Sequence, residues 1–142
     1  MSGGNALFGL KSDGTVCAHL KMNYMRYGKT LEEEIREWSD IVQIAGEDSV
    51  TGLKKDGTVV STKGGIFCEC QEWSGITEIA ASRYALVGIK EDGTLMAICS
   101  EKCGFQEEEL AGWKDIEHVA VCDEYCIAIG KDKTVYRTEK WK

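Results

Sequence analysis

The sequence repeats itself, and the repeat restricts the fold more than any other feature of the chain. One eight-residue phrase occurs as GLKSDGTV, GLKKDGTV and GIKEDGTL, and a fourth copy, AIGKDKTV, keeps the frame with Lys133 in place of a glycine. The aspartates of the four copies recur at intervals of 36 to 43 residues, and they are Asp13, Asp56, Asp92 and Asp132. A period of this length is typical of solenoids and propellers, in which each unit covers the apolar face of the next.

Each copy of the phrase predicts a β-hairpin. Asp-Gly between two short β-rich runs indicates a tight turn, because glycine takes the positive φ that such turns require. We therefore expect hairpins near residues 6–20, 49–63, 84–99 and 125–138. In the fourth copy Lys133 stands at the glycine position, so that turn should be strained or of another type.

A second phrase alternates with the first and predicts a further strand. It begins at Trp38, Trp73 and Trp113, and reads Trp-x-x-Ile-x-x-Ile-Ala, with valine as the second aliphatic residue in the last copy. Together the two phrases give three or four short strands in each period of roughly 40 residues, which is the size of one propeller blade.

The predicted fold is all-β, with β-propeller-type repeats in a single repeat domain over residues 1–142. The chain holds four hairpin phrases but three Trp phrases, so we expect three full blades and a partial first blade without its own first strand. An open array would leave sheet edges and an apolar face exposed. We expect a second chain to complete the ring as a homodimer; the alternative is a compact four-bladed ring made by one chain.

These phrases resemble a known family. GLKxDGTV and WxDIxxIA are similar to those of bacterial proteins related to the regulator-of-chromosome-condensation repeat family, and the likeness extends from about Ala6 to Arg137. The resemblance implies a β-propeller, commonly of seven blades. Members of the family in eukaryotes include chromatin-bound exchange factors for a small GTPase, but the residues present here match none that could be assigned to that activity.

Charge and composition narrow the class of partner. The net charge of −7 argues against nucleic acid as the main partner, because affinity for nucleic acid comes largely from neutralised phosphates. No apolar run approaches the roughly 20 residues of a membrane span, and the first residues do not resemble a secretory leader, so a cytoplasmic protein is expected.

The seven cysteines allow two interpretations. Cys99 and Cys103, like Cys122 and Cys126, have a spacing that could serve a metal, but structural zinc sites favour tighter paired spacings. Buried reduced thiols are the favoured interpretation, with no metal site and no cofactor.

Catalytic motifs are missing from the sequence. It contains no GxSxG, no GxxxxGK[ST] and no HExxH, and its two histidines are His19 and His118. A Cys17–His19 pair along one strand cannot be assumed to have the orientation of a nucleophile and its base. We therefore predict that the protein is not an enzyme.

The predicted function is a non-catalytic binding or assembly module that presents loops around a propeller channel. The loops that follow the Ile-Ala strands are varied and polar, and loops on a rigid scaffold commonly bind ligands. Their candidate binding residues are Glu47, Asp48, Arg83, Tyr84, Asp123, Glu124 and Tyr125. The four acidic residues among them favour a partner with basic side chains.

Three further interpretations stay open. The loops could be ordinary polar turns, or the protein could bind or sequester a nucleotide or metabolite in the channel or at a dimer seam, with Arg83 and Tyr84 in contact with phosphate and base. A capping-box pattern at Thr30 and Glu33 also predicts a short helix over residues 30–38. That helix, like the acidic run 107–109, is either a partner-binding element or, as we favour, a linker with a solvated face.

Overall fold

The computed structural model describes residues 2–3, 6–20, 25–26, 29–47, 49–62 and 68–139. Within these ranges the fold is built from short strands and a single six-residue α-helix, α1 (Leu31–Arg36). In chain order the strands are β1 (Ser2–Gly3), β2 (Ala6–Leu10), β3 (Val16–Leu20), β4 (Met25–Arg26), β5 (Lys29–Thr30), β6 (Ile41–Ala45), β7 (Thr51–Lys54), β8 (Val59–Ser61), β9 (Ile76–Ala81), β10 (Ala85–Lys90), β11 (Leu95–Cys99), β12 (Ile116–Val121), β13 (Cys126–Gly130) and β14 (Val135–Arg137).

The strands form four similar antiparallel sheets, which we call blades 1 to 4. Their strand orders are β1-β2-β3, β6-β7-β8, β9-β10-β11 and β12-β13-β14, and β4 and β5 form a separate two-stranded pair in the first linker. In blades 2, 3 and 4 the Trp phrase supplies the first strand, and in all four blades the Asp phrase supplies the hairpin. The prediction of an all-β, propeller-type fold is confirmed. Blade 1 does have a first strand, contrary to expectation, but β1 is only two residues long.

The first strands lie innermost in the array. β9 contacts both β6 and β12, whereas the third strands β3, β8 and β11 are flanked by helical turns of the linkers. These turns are α1 and two 3₁₀ helices, Cys68–Glu72 and Glu107–Glu109. Thr30 caps α1 through the predicted capping box, in which its hydroxyl accepts the Glu33 N–H at 3.1 Å.

The four hairpin turns have one geometry. Gly14, Gly57 and Gly93 have φ values of 84°, 86° and 82°, and Lys133 takes the same region at 70°. The N–H of Lys133 donates to the Gly130 carbonyl at 2.9 Å, which matches the bond made by each of the three glycines. Of the two alternatives for the fourth turn, the structure shows strain at Lys133 and not another type of turn.

Each turn glycine also forms the joint to the next blade. The carbonyls of Gly14, Gly57 and Gly93 accept the N–H of the first residue of β6, β9 and β12 at 2.9, 3.0 and 3.0 Å, respectively. The positive φ of the turn residue therefore closes its own hairpin, and its carbonyl binds the first strand of the next blade.

Tryptophan and small residues pack the space between the blades. A Cβ placed on Gly52 would lie 3.2 Å from the ring of Trp38, and one on Gly88 would lie 3.0 Å from Trp73. These two tryptophans are buried, whereas Trp113, whose blade has Ala128 at the glycine position, is half-buried and packs beside Tyr136. Burial of such aromatic surface contributes a large part of the apolar stabilisation.

The residue three positions before each tryptophan is also buried. In the three linkers these residues are Ile35, Cys70 and Leu110. Each belongs to a helical turn or follows it directly, so the linkers add to the core as well as connecting the blades. Among the described residues, no helix has the length and apolar character that a membrane span requires.

Candidate functional site: a rim of inter-strand loops

The predicted binding residues lie in three equivalent loops. Each loop joins the first strand of a blade to the second, in blades 2, 3 and 4. Two of these loops are tight turns closed by main-chain bonds, from Ser82 N–H to the Ala85 carbonyl at 2.8 Å and from Cys122 N–H to the Tyr125 carbonyl at 3.0 Å. The blades thus hold these loops on one rim of the array, which we call the loop rim.

Arg83 connects the three loops of the rim. Its Nε lies 4.0 Å from Oε2 of Glu47 in blade 2, and its main-chain N–H donates to Oδ1 of Asp123 in blade 4 at 3.1 Å. The Arg83 and Glu47 side chains are about half exposed, so this ion pair adds little to stability. The alternative small-ligand interpretation would place Arg83 on a phosphate; in the structure the guanidinium lies beside the Glu47 carboxylate.

A linker loop supports the rim from outside. The N–H of Gly104 donates to the Asp123 carbonyl at 2.8 Å, and a Cβ on Gly104 would lie 2.4 Å from the Glu124 carbonyl oxygen. The two main chains are in direct contact here, with no room for a side chain at position 104. This contact and its hydrogen bond hold the loop of Asp123 and Glu124 against the linker that follows β11.

The aromatic residues of the rim differ in accessibility. Tyr84 is half-buried against the core between blades 3 and 4, whereas Glu124 is exposed and Tyr125 has 38% of its surface exposed. Asp48 lies outside the described residues. Of the predicted residues, the structure brings Glu47, Arg83 and Asp123 together, and it presents Glu124 and Tyr125 to solvent.

A second set of side chains, on the inner strands, joins successive blades and was not predicted as a set. The Gln43 side chain in β6 makes two bonds to the main chain of Ile79 in β9, at 2.8 and 3.0 Å. At the equivalent position of β9, Glu78 accepts the Val119 N–H at 3.0 Å and lies 3.1 Å from Nδ1 of His118. In the Trp phrase, a polar residue stands directly before the second aliphatic residue. The side chain of this polar residue joins successive blades, and its recurrence was the signal in the sequence.

Three cysteines near the rim lie in an apolar setting, whereas Cys122 in the rim loop is exposed. Cys103 and Cys126 are buried and belong to one cluster, against which the half-buried Cys99 packs. Burial raises the pKa of both Cys99 and Cys126 to about 12, so these thiols stay protonated at neutral pH. In the part of the chain that the structure describes, no three His, Cys, Asp or Glu residues are grouped so that they could hold a metal ion.

Comparison with known proteins identifies the fold. No family model and no curated protein matches the sequence. Among solved structures, Prp20p from Saccharomyces cerevisiae is 16% identical with a TM-score of 0.65 over 94% of this chain and 41% of its own. Human WBSCR16 is 13% identical with a TM-score of 0.70 over 95% and 45% of the two chains. The receptor kinase CR4 ectodomain from Physcomitrella patens is 11% identical with a TM-score of 0.69 over 95% and 38%.

At these identities the likeness shows the fold alone. Prp20p is the yeast RCC1, so the four blades resemble RCC1-type propeller repeats in architecture. The chain spans less than half the length of each of these three neighbours.

Proposed function

We propose that this protein is a non-catalytic protein-binding module and that the loop rim is its recognition surface. The observation that carries the proposal is the position of Arg83 beside both Glu47 and Asp123, which brings loops from three successive blades together in one surface. A surface that is ordered before binding loses less conformational freedom when a partner docks. Exposed Tyr125 supplies an aromatic contact of the kind enriched at interfaces, and exposed Glu124 supplies a charge complementary to a basic partner.

The partner expected at this rim carries basic side chains. The chain has a net charge of −7, and the rim itself contributes Glu47, Asp123 and Glu124 against the single positive charge of Arg83. Proteins of the same fold bind proteins: Prp20p has been characterised for its binding to Gsp1p and to histones, and yeast RCC1 has been solved with Kap60 bound to it.

Calorimetry with core histones as a basic protein probe tests the proposal. We expect Glu47→Gln combined with Glu124→Gln and Tyr125→Ala to weaken binding at least tenfold. Glu69→Gln combined with Glu72→Gln, on an outer helical turn, is the control and should leave binding almost unchanged. Equal binding by the rim variant and the wild type would contradict the assignment of the rim, and the absence of binding would contradict the basic-partner proposal.

The small-ligand alternative predicts a different result. If the protein sequesters a nucleotide or metabolite, purified protein should carry material that absorbs near 260 nm, or its melting temperature should rise with a nucleotide. The engagement of Arg83 by Glu47 favours the protein-binding function over this one.

We further propose that a second copy covers the open faces of the array, so that the functional unit is a dimer. Leu7 in blade 1 is 56% exposed, although Val50, Leu86 and Cys126 at the equivalent position are buried. In blade 4, Val135 is 66% exposed where Val16 and Val59 are buried. The outer faces of blades 1 and 4 thus carry apolar residues at positions that are buried between blades elsewhere in the array. Two chains related by a twofold axis would bury these residues by packing blade 1 of one chain on blade 4 of the other.

Light scattering on the 142-residue chain tests this dimer. A mass of two chains is expected at micromolar concentration, and Leu7→Ser combined with Val135→Ser should give one chain. A wild-type protein that remains at the mass of one chain would overturn the proposal.

A further inference from the structure

The outer strand of blade 3 has an open edge. At the two ends of the β10–β11 pair, the Thr94 carbonyl accepts the Lys90 N–H at 2.8 Å, and the Ser100 N–H donates to the Tyr84 carbonyl at 2.9 Å. Hydrogen bonding alternates along an antiparallel strand, so the even-numbered residues of β11 bond to β10. The N–H and C=O groups of Leu95, Ala97 and Cys99 therefore point away from β10, on the side where the described residues place no further strand.

A groove lies beside this edge. Its volume is about 410 Å³, and Leu95, Met96 and Ala97 of β11 line one side of it. The opposite side is the helical turn after β11, which contributes Leu110, Ala111, Glu107 and Glu108. Propeller blades commonly have four strands, and this blade has three, so the groove adjoins the place of a fourth strand.

The wall of the groove is acidic. Glu107 and Glu108 are exposed, and the salt bridges identified among the described residues do not include them. Glu109 differs because its carboxylate accepts the Gln106 N–H at 2.8 Å within the turn. Two adjacent carboxylates over an apolar strand fit a ligand in which apolar residues alternate with lysine or arginine.

We propose that this groove binds an extended basic peptide, which adds to β11 as the fourth strand of blade 3. The main chain of the peptide pairs with the outward N–H and C=O groups of Leu95, Ala97 and Cys99. Its apolar side chains lie on the side of Leu95 and Ala97, and its basic side chains meet Glu107 and Glu108. Strand addition of this kind derives affinity from main-chain bonds and specificity from alternate side chains. The proposal does not depend on the loop rim.

The experiment uses the full chain and a fluorescein-labelled ten-residue peptide of alternating valine and lysine. We expect saturable binding by fluorescence anisotropy and slower amide exchange at Leu95, Ala97 and Cys99 when the peptide is bound. Methylation of the peptide main-chain nitrogens on one edge removes donors while keeping the charge, and it should weaken binding at least tenfold. Glu107→Lys combined with Glu108→Lys should weaken binding by a similar factor.

The matched control is Glu69→Lys combined with Glu72→Lys, which makes the same change in charge on the helical turn beside β8. Binding within about twofold of wild type is expected for this control, with equal melting temperatures showing that all variants are folded. An equal loss in both double variants would reduce the interaction to general charge attraction. Unchanged binding of the methylated peptide, or no binding at millimolar peptide, would overturn the proposal.

Discussion

A Cβ atom on Gly93 would lie 2.8 Å from the Cα of Asp115, so the turn of blade 3 touches the first residues of blade 4 through a bare main chain. Gly93 also has a φ of 82°, and its carbonyl accepts the Ile116 N–H at 3.0 Å. One position therefore meets a conformational, a steric and a hydrogen-bonding requirement.

Gly93→Ala should destabilise the protein by at least about 2 kcal/mol, because the positive φ alone costs about 1–2 kcal/mol and the contact with Asp115 adds to it. Urea unfolding measures the loss. Gly112→Ala is the control, since Gly112 has space around it and no positive φ, and it should change the free energy of unfolding by less than about 0.5 kcal/mol. Equal losses in the two variants would contradict the joint described here.

Lys133→Gly should be more stable than Lys133→Ala by about 1 kcal/mol, because Lys133 occupies the left-handed region that glycine enters without steric cost. Both variants remove the 3.1 Å ion pair between Lys133 and Glu117, so their difference isolates the Cβ. Thermal unfolding in the same buffer measures it. An alanine variant as stable as the glycine variant would show that the fourth turn is not strained.

Gly88→Ala should cost about 1–3 kcal/mol, because the added methyl group lies 3.0 Å from the ring of Trp73 and the core on both sides is packed. Gly9→Ala is the equivalent change in blade 1, where the nearest atom is the Cys17 Sγ at 3.2 Å, and it should cost less. Chemical unfolding followed by tryptophan fluorescence compares the two. The reverse order of stability would contradict the packing of Trp73 on Gly88.

Asp92→Asn should lower the melting temperature at pH 7, and the difference from wild type should shrink as the pH falls below 3.8. The hydrogen bonds from the Thr94 hydroxyl and N–H lower the pKa of Asp92 from 3.8. A depressed folded-state pKa gives stability that is present above the unfolded pKa and is lost as the pH falls through the folded value. Calorimetry from pH 2 to pH 7 measures the trend.

The control for this pH dependence is Glu91→Gln, which removes an exposed charge from the same turn. It should give a smaller difference at pH 7 than Asp92→Asn. A difference for Asp92→Asn that stays constant from pH 7 to pH 2 would show that the ionised carboxylate does not stabilise the turn.

Local patterns in the sequence predicted most of the fold. The Asp phrase and the Trp phrase gave the strand positions because a β-turn and a short strand are encoded within a few residues. The strain at Lys133 followed from the same reasoning. The two-residue β1 was missed because Ser2 and Gly3 carry no strand signal of their own and pair only through β2.

The site was harder to predict because its contacts join residues about 40 positions apart. Loop polarity selected Glu47, Arg83 and Asp123, but nothing local indicated that Arg83 would join the other two. The Glu78–His118 contact was missed for the same reason, since it depends on how adjacent inner strands align. The open edge beside the groove could not be predicted, because it depends on the hydrogen-bond register of β10 and β11, which the composition of the strands does not determine.

The contact between Trp73 and Gly88 lies within one repeat, whereas the contact between Gly93 and Asp115 joins one repeat to the following one. A gene segment that encodes one repeat therefore encodes both residues of the Trp–Gly contact. It also encodes the N–H that bonds to the preceding blade and the turn carbonyl that bonds to the following blade. Duplication of such a segment would insert a blade whose two seams match those already present. The number of blades can then change by whole units during evolution without redesign of any seam.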